Sequence, residues 1–181
     1  MWPFIAFMTS ARVAAEASHA HFVYHPRMLY SSSLWLHSLL RWAVLLTGAV
    51  AWFRSIGGAT AKRPWTSKDE LWGLLFIGTL DTEILVGLAL YIFLSPFTKI
   101  AFQDFAGAMA NASLRFWAVE HIAGMIIGIA LAHIGRVKAR KAATDARRHR
   151  LVTIFFGLAL VAIIVSIPWP GLPVARPLVR F

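Results

Sequence analysis

The sequence predicts an all-α integral membrane protein, a four-helix bundle with both termini on the periplasmic or exterior side. Three observations lead there. Hydrophobic residues fill 59% of the 181 positions and charged residues only 14%, at a mean hydropathy of +0.66; a soluble domain is about 45–50% apolar and about a quarter charged. The apolar residues fall into four runs close to the ~20 residues that a helix needs to cross a bilayer. The basic residues gather between those runs, where they set orientation. Eight Trp and thirteen Phe suit a protein with two interfaces to anchor.

Residues 1–27 come before the first long run. Their apolar stretch, Trp2 to Met8, is too short to span and lacks a basic flank, so it makes a poor signal peptide. Met28 then opens MLYSSSLWLH. Two readings stay open for 1–27: an upstream extension ahead of a biological start at Met28, or a real, disordered tail. In either case His19, His21 and His25 carry little weight, and residues 28–181 form the membrane domain.

The expected spans run from about Leu34 to Phe53, Leu71 to Leu94, Leu114 to Ile134 and Leu151 to Ile167. Ser67 with Glu70 makes a capping-box pattern for the second. Pro96 stops that helix, Asn111 and Ser113 offer caps to the third, and Pro168 with Pro170 stops the fourth. Arg54, Lys62, Arg63 and Lys68 occupy the first loop. Arg136, Lys138, Arg140, Lys141, Arg147, Arg148 and Arg150 occupy the third. The opposite side has Arg12, Arg27, Lys99, Arg115, Arg176 and Arg180. The asymmetry places the two basic loops in the cytoplasm of a bacterial inner membrane. It also accounts for the net charge of +10 without a nucleic-acid partner.

Several chemistries are excluded. The chain has no cysteine, so it has no disulfide, no thiolate metal site and no covalently attached haem. It carries no dinucleotide-binding glycine motif, nucleophile elbow or metalloprotease histidine pair.

Ionisable groups within a span cost ~2.5–3.5 kcal/mol each on insertion scales, so they face partners or a functional cavity. His37 and Arg41 lie in the first span, Asp81 and Glu83 in the second, and Glu120, His121 and His133 in the third. The first and third spans run in the same direction. His37 and His121 therefore sit ~5–10 Å below the same membrane face, where two imidazoles can take one haem iron from opposite sides. Gly124 and Gly128 follow His121 on its face, and Gly48 follows His37. They would let a flat macrocycle approach the backbone, or they form a small-residue helix contact. Arg41 and Glu120 can pair with each other. Alternatively, Arg41 meets a haem propionate or a quinone and Glu120 orients a ligand imidazole. Asp81 and Glu83 point about 200° apart, which rules against one carboxylate dyad; each is open to a proton-relay role or a hydrogen bond to a neighbour. His133 and His149 read as interfacial residues.

LHSLLRWAVLL (Leu36 to Leu46), LVGLALYIFLSP (Leu85 to Pro96), RFWAVEHIAGM (Arg115 to Met125), LAHIGR (Leu131 to Arg136), IPWP (Ile167 to Pro170) and RPL (Arg176 to Leu178) resemble a family of small four-helix bacterial membrane proteins labelled "cytochrome B". The resemblance covers almost everything from Met28 onward. It implies that His37, Arg41, Arg115, Glu120, His121, His133 and Arg136 hold characteristic positions. The family's second helix tends to carry His or Gln at its polar site, where this chain has Asp81 and Glu83. The expected function is membrane electron transfer: one haem b between His37 and His121, relaying electrons between a quinol pool and a redox partner or larger membrane complex. The alternative is a cofactor-free structural or assembly subunit. A small proton channel or transporter, motivated by Asp81, Glu83 and Glu120, is the third class.

Overall fold

A computed structural model of the chain describes residues 3–177, with side chains from Arg27 onward. The expected boundary between 1–27 and the membrane domain, with His19, His21 and His25, lies almost wholly outside the described side chains. The secondary structure of the described residues is helical, with no strand.

Helix α1 is Pro3–Thr60, α2 Ser67–Ala89, α3 Pro96–Gln103, α4 Phe105–Ala110, α5 Ala112–Arg115, α6 His121–Arg140 and α7 Asp145–Val165. π-helical turns at Leu90–Leu94 and Phe116–Glu120 extend α2 and join α5 to α6. Four stretches are long and apolar enough to cross a membrane: Arg27–Thr60, Ser67–Leu94, Ala112–Arg140 and Asp145–Val165. This is the architecture of a multi-pass membrane protein. Three of the expected spans fall inside these stretches. The fourth helix ends earlier than expected, at Val165, and Ser166 caps it.

Helix α6 packs on α7, α7 on α1 and α1 on α2, while α2 closes the ring on α6 with a lighter contact. Phe76, Phe156, Val44, Ala159 and Ile163 are buried between them. Outward, Leu46, Phe53, Leu85, Phe93, Ile127 and Val165 are exposed, as expected where the surrounding solvent is hydrocarbon. Packing in that solvent favours small residues at the contacts. Gly128 sits so close to α7 that a Cβ would lie 2.8 Å from Ile163 Cγ1, and a Cβ on Gly48 would lie 2.7 Å from the Phe76 ring.

The caps locate the helix ends. Thr66, in extended conformation, takes the N-cap of α2, and Asp69 returns the bond to the Thr66 backbone at 2.9 Å. The capping box is thus Thr66–Asp69, one residue before the expected Ser67–Glu70. That shift frees Glu70 to bind Arg136 and Arg148. The Asp69 carboxylate takes Arg63 at 2.6 Å and Arg54 at 3.0 Å. Two acids at the head of α2 therefore tie both basic loops together. At the far end Ser95 is forced extended before Pro96. Asp104 and Asn111 cap α4 and α5, and these short helices cross that end of the bundle.

His149, expected at an interface, is fully buried. Its ring stands beside Gly58, which has no side chain to displace it, and 4.8 Å from the Trp65 ring.

Candidate functional site

His37 and His121 meet. His37 lies within the Arg27–Thr60 stretch of α1, and His121 opens α6 directly after the second π-helical turn. Their ring centroids are 6.3 Å apart, with planes at 82°. The π-helical turn before α6 sets which side of the helix each residue faces. His121 turns inward, while Glu120 stays half exposed and binds Arg115 at 2.6 Å. The expected Arg41–Glu120 pair does not form, because that turn leaves Glu120 on the outer side. Arg41 lines the cavity described below, and its guanidinium lies 5.5 Å from the Trp42 ring.

Both imidazoles engage through Nδ1. His121 Nδ1 lies 2.8 Å from the Ser166 carbonyl. A carbonyl only accepts, so Nδ1 carries the proton and Nε2 keeps its lone pair. His37 Nδ1 approaches Glu83 Oε1 to 3.2 Å, without the alignment of a full hydrogen bond. The absence of a side chain at Gly87 makes room: a Cβ there would lie 3.2 Å from His37 Cε1.

Two cavities share the histidine pair. The first has about 890 Å³ of empty space, its open mouth included, and reaches Tyr91, Phe97, Thr98 and Met125 between α2, α6 and the crossing helices. The second, about 620 Å³ on the same basis, reaches Arg41, Ser38, Ile167 and Pro168 toward α1 and α7. His37, His121, Glu83, Trp117 and Arg176 line both. Trp117 Nε1 and Glu83 Oε2 are buried without a hydrogen-bond partner. The Tyr91 hydroxyl donates to the Ala118 carbonyl at 2.7 Å and so pins the two π-helical turns to each other. Such turns occur often at functional sites.

The other expected site residues are placed differently. Asp81 and Glu83 diverge, as their spacing requires: Glu83 faces His37, and Asp81 binds His133 at 2.8 Å across the α2–α6 seam. His133 thus has an acidic partner within its span. Gly124 and Gly128 do not line either cavity. Gly124 abuts Ser166, and Gly128 abuts Ile163 and the Ala159 carbonyl, so the small-residue helix contact is what they form. Gly48 likewise packs on Phe76 and Leu160.

Sequence reasoning missed Gly87, Tyr91, Trp117 and Arg176. Gly87 lies one turn beyond Glu83 on the same face, a signal that was present. Arg176 lies beyond the last helix, where no periodicity places it. Among the described residues, no group of three or more His, Cys, Asp or Glu could hold a metal ion. No family model matches the chain, and neither a curated protein nor a solved structure matches it.

Proposed function

We propose that the chain is a b-type cytochrome of a bacterial cytoplasmic membrane, in which His37 and His121 would hold one haem b between them. The observation that carries this reading is the pair itself: two imidazoles, one with Nδ1 bonded to the Ser166 carbonyl and the other with Nδ1 turned toward Glu83, standing between two cavities. A bare metal ion would find two ligands there and too few others. A macrocycle brings its own equatorial nitrogens and needs only two axial ones. The two imidazoles, with ring centroids 6.3 Å apart, would hold such a group from opposite helices. Space on both sides of the pair suits a flat group wider than either cavity. The resemblance in the His37 and His121 motifs points the same way.

Bound there, haem supplies reversible one-electron exchange. The protein's own residues do the rest. The Ser166 carbonyl fixes the His121 tautomer and ring direction, and the Glu83 carboxylate faces the His37 ring. Trp117, Met125 and Ile129 give the first cavity an apolar lining. The apolar lining suits a donor dissolved in the bilayer, a quinol. With no nucleotide site of its own, the protein works as a relay toward a redox partner or a larger membrane complex.

The test is a reduced-minus-oxidised absorption spectrum of the full chain, purified in mild detergent from a haem-supplemented host. A sharp low-spin alpha band is expected. His37→Ala or His121→Ala abolishes it and leaves insertion intact, while His133→Ala keeps it. Folded protein without any alpha band would sink the reading in favour of a cofactor-free structural subunit. A band lost in His133→Ala but kept in His37→Ala would refute the ligand assignment.

A further inference from the structure

The segment after α7 turns back over the site. The Arg176 backbone N–H donates to the Pro168 carbonyl at 3.2 Å, closing a loop that contains Pro170 and Gly171. This turn lays the Arg176 guanidinium against two rings: Cζ is 4.6 Å from the Phe97 centroid and 5.3 Å from the Trp117 centroid. A guanidinium held by aromatic faces keeps its edge N–H donors available. Those donors have no carboxylate partner among the described residues, yet Arg176 lines both cavities. The sole acid lining either cavity among the described residues, Glu83, is directed at His37. Arg41 adds a second cationic side chain to the lining of the second cavity. The site therefore combines an apolar cleft with a fixed cation at its rim.

We infer that Arg176 is the anion-recognition residue of this site, and that it takes a carboxylate of the cofactor held between His37 and His121. The inference rests on the haem reading and adds to it the group that sets the cofactor's orientation. Planar, forked donors match a carboxylate bidentately. Two aromatic rings prepay the ordering of a long side chain. A carboxylate brought to the rim of an apolar cleft is partly desolvated and gains from such a partner. The histidines alone would accept the macrocycle either way round; the cation at one rim breaks that symmetry.

The experiment compares haem b with its dimethyl ester, whose carboxylates carry no charge. Each is titrated into the apo form of the full chain in neutral detergent, and dissociation constants are read from the absorption change. The wild type binds haem b at least about tenfold more tightly than the ester, the range of a charge-assisted hydrogen bond. Arg176→Gln loses that preference by weakening haem b alone, and Arg176→Lys keeps most of it. Equal affinity of the wild type for both porphyrins, each giving a low-spin band, overturns the role of Arg176 and leaves the axial histidines standing. Equal weakening of both porphyrins by Arg176→Gln also overturns it, because that is a packing effect. No band with either porphyrin overturns both readings. A membrane anion is the other candidate for the same donors. Added phosphatidylglycerol that competes with haem b in the wild type but not in Arg176→Gln would assign them to a lipid headgroup and overturn the inference. If Arg176→Gln fails to fold, Arg176→Met is put to the same comparison: loss of the preference for haem b supports the role of Arg176, and a preference that persists assigns the carboxylate to Arg41 and overturns the inference.

Discussion

A histidine beside a carboxylate has a different environment from one bonded to a carbonyl, and His37 and His121 differ in this way. The Ser166 carbonyl orients His121 without adding charge. Glu83 brings its carboxyl group to 3.2 Å from His37 Nδ1, and a negative charge there would favour the oxidised state of a redox centre held by that ring. Glu83→Gln keeps the shape and removes the charge. It should raise the midpoint potential by on the order of 50–100 mV, the effect of one charge several ångströms away at an intermediate dielectric, with the low-spin band retained. A redox titration that shows no shift would remove Glu83 from the site. The sequence showed Glu83 to be an ionisable group in need of a partner, and its spacing from Asp81 showed that the two diverge. Which acid met which histidine was not legible. Both pairings cross between helices, Glu83 to His37 and Asp81 to His133, and spacing along one chain does not give the rotation of one helix against another.

At the scale of the element, span positions could be read because lipid imposes length and apolarity on each helix separately. The two π-helical turns could not, since an extra residue in a turn leaves no hydropathy signal. Their effect is large: one inserts just before His121 and separates it from Glu120, which faces outward onto Arg115. The glycines of α6 carry the opposite lesson. Their spacing gave the face correctly but not its occupant, and they lie against α7. Gly128→Leu should therefore leave the histidine pair chemically intact while forcing α6 and α7 apart. With Ile163 Cγ1 only 2.8 Å from where a Cβ would stand, the cost is about 1–3 kcal/mol or more by analogy with overpacked cores. Thermal unfolding of the detergent-solubilised variant should fall by several degrees. An unchanged Tm would mean that α6 and α7 part easily, and that their close packing does not position His121 beneath Ser166.

At the scale of the whole molecule, the bundle is electrostatically two-ended. One end carries the basic loops, and Asp69 and Glu70 clasp Arg54, Arg63, Arg136 and Arg148 there. The other end carries the crossing helices, Arg176 and both cavities. Positive residues resist translocation, so the clasped end is expected in the cytoplasm and the histidine site near the outer face. The chain contains no cysteine, so single introduced thiols report sidedness cleanly. Ala106→Cys, exposed on α4, should react with a membrane-impermeant maleimide in intact cells. Ala143→Cys, exposed in the basic connection between α6 and α7, should react only after lysis. The reverse pattern would overturn the orientation and would change the functional argument with it. The site would then open toward cytoplasmic partners, and the basic loops would need a reason other than topology, such as binding an acidic external protein. The expected pattern instead gives the two ends separate tasks. The clasped loops would then hold the bundle in register from the inside, and the proposed haem site would open close to the outer surface.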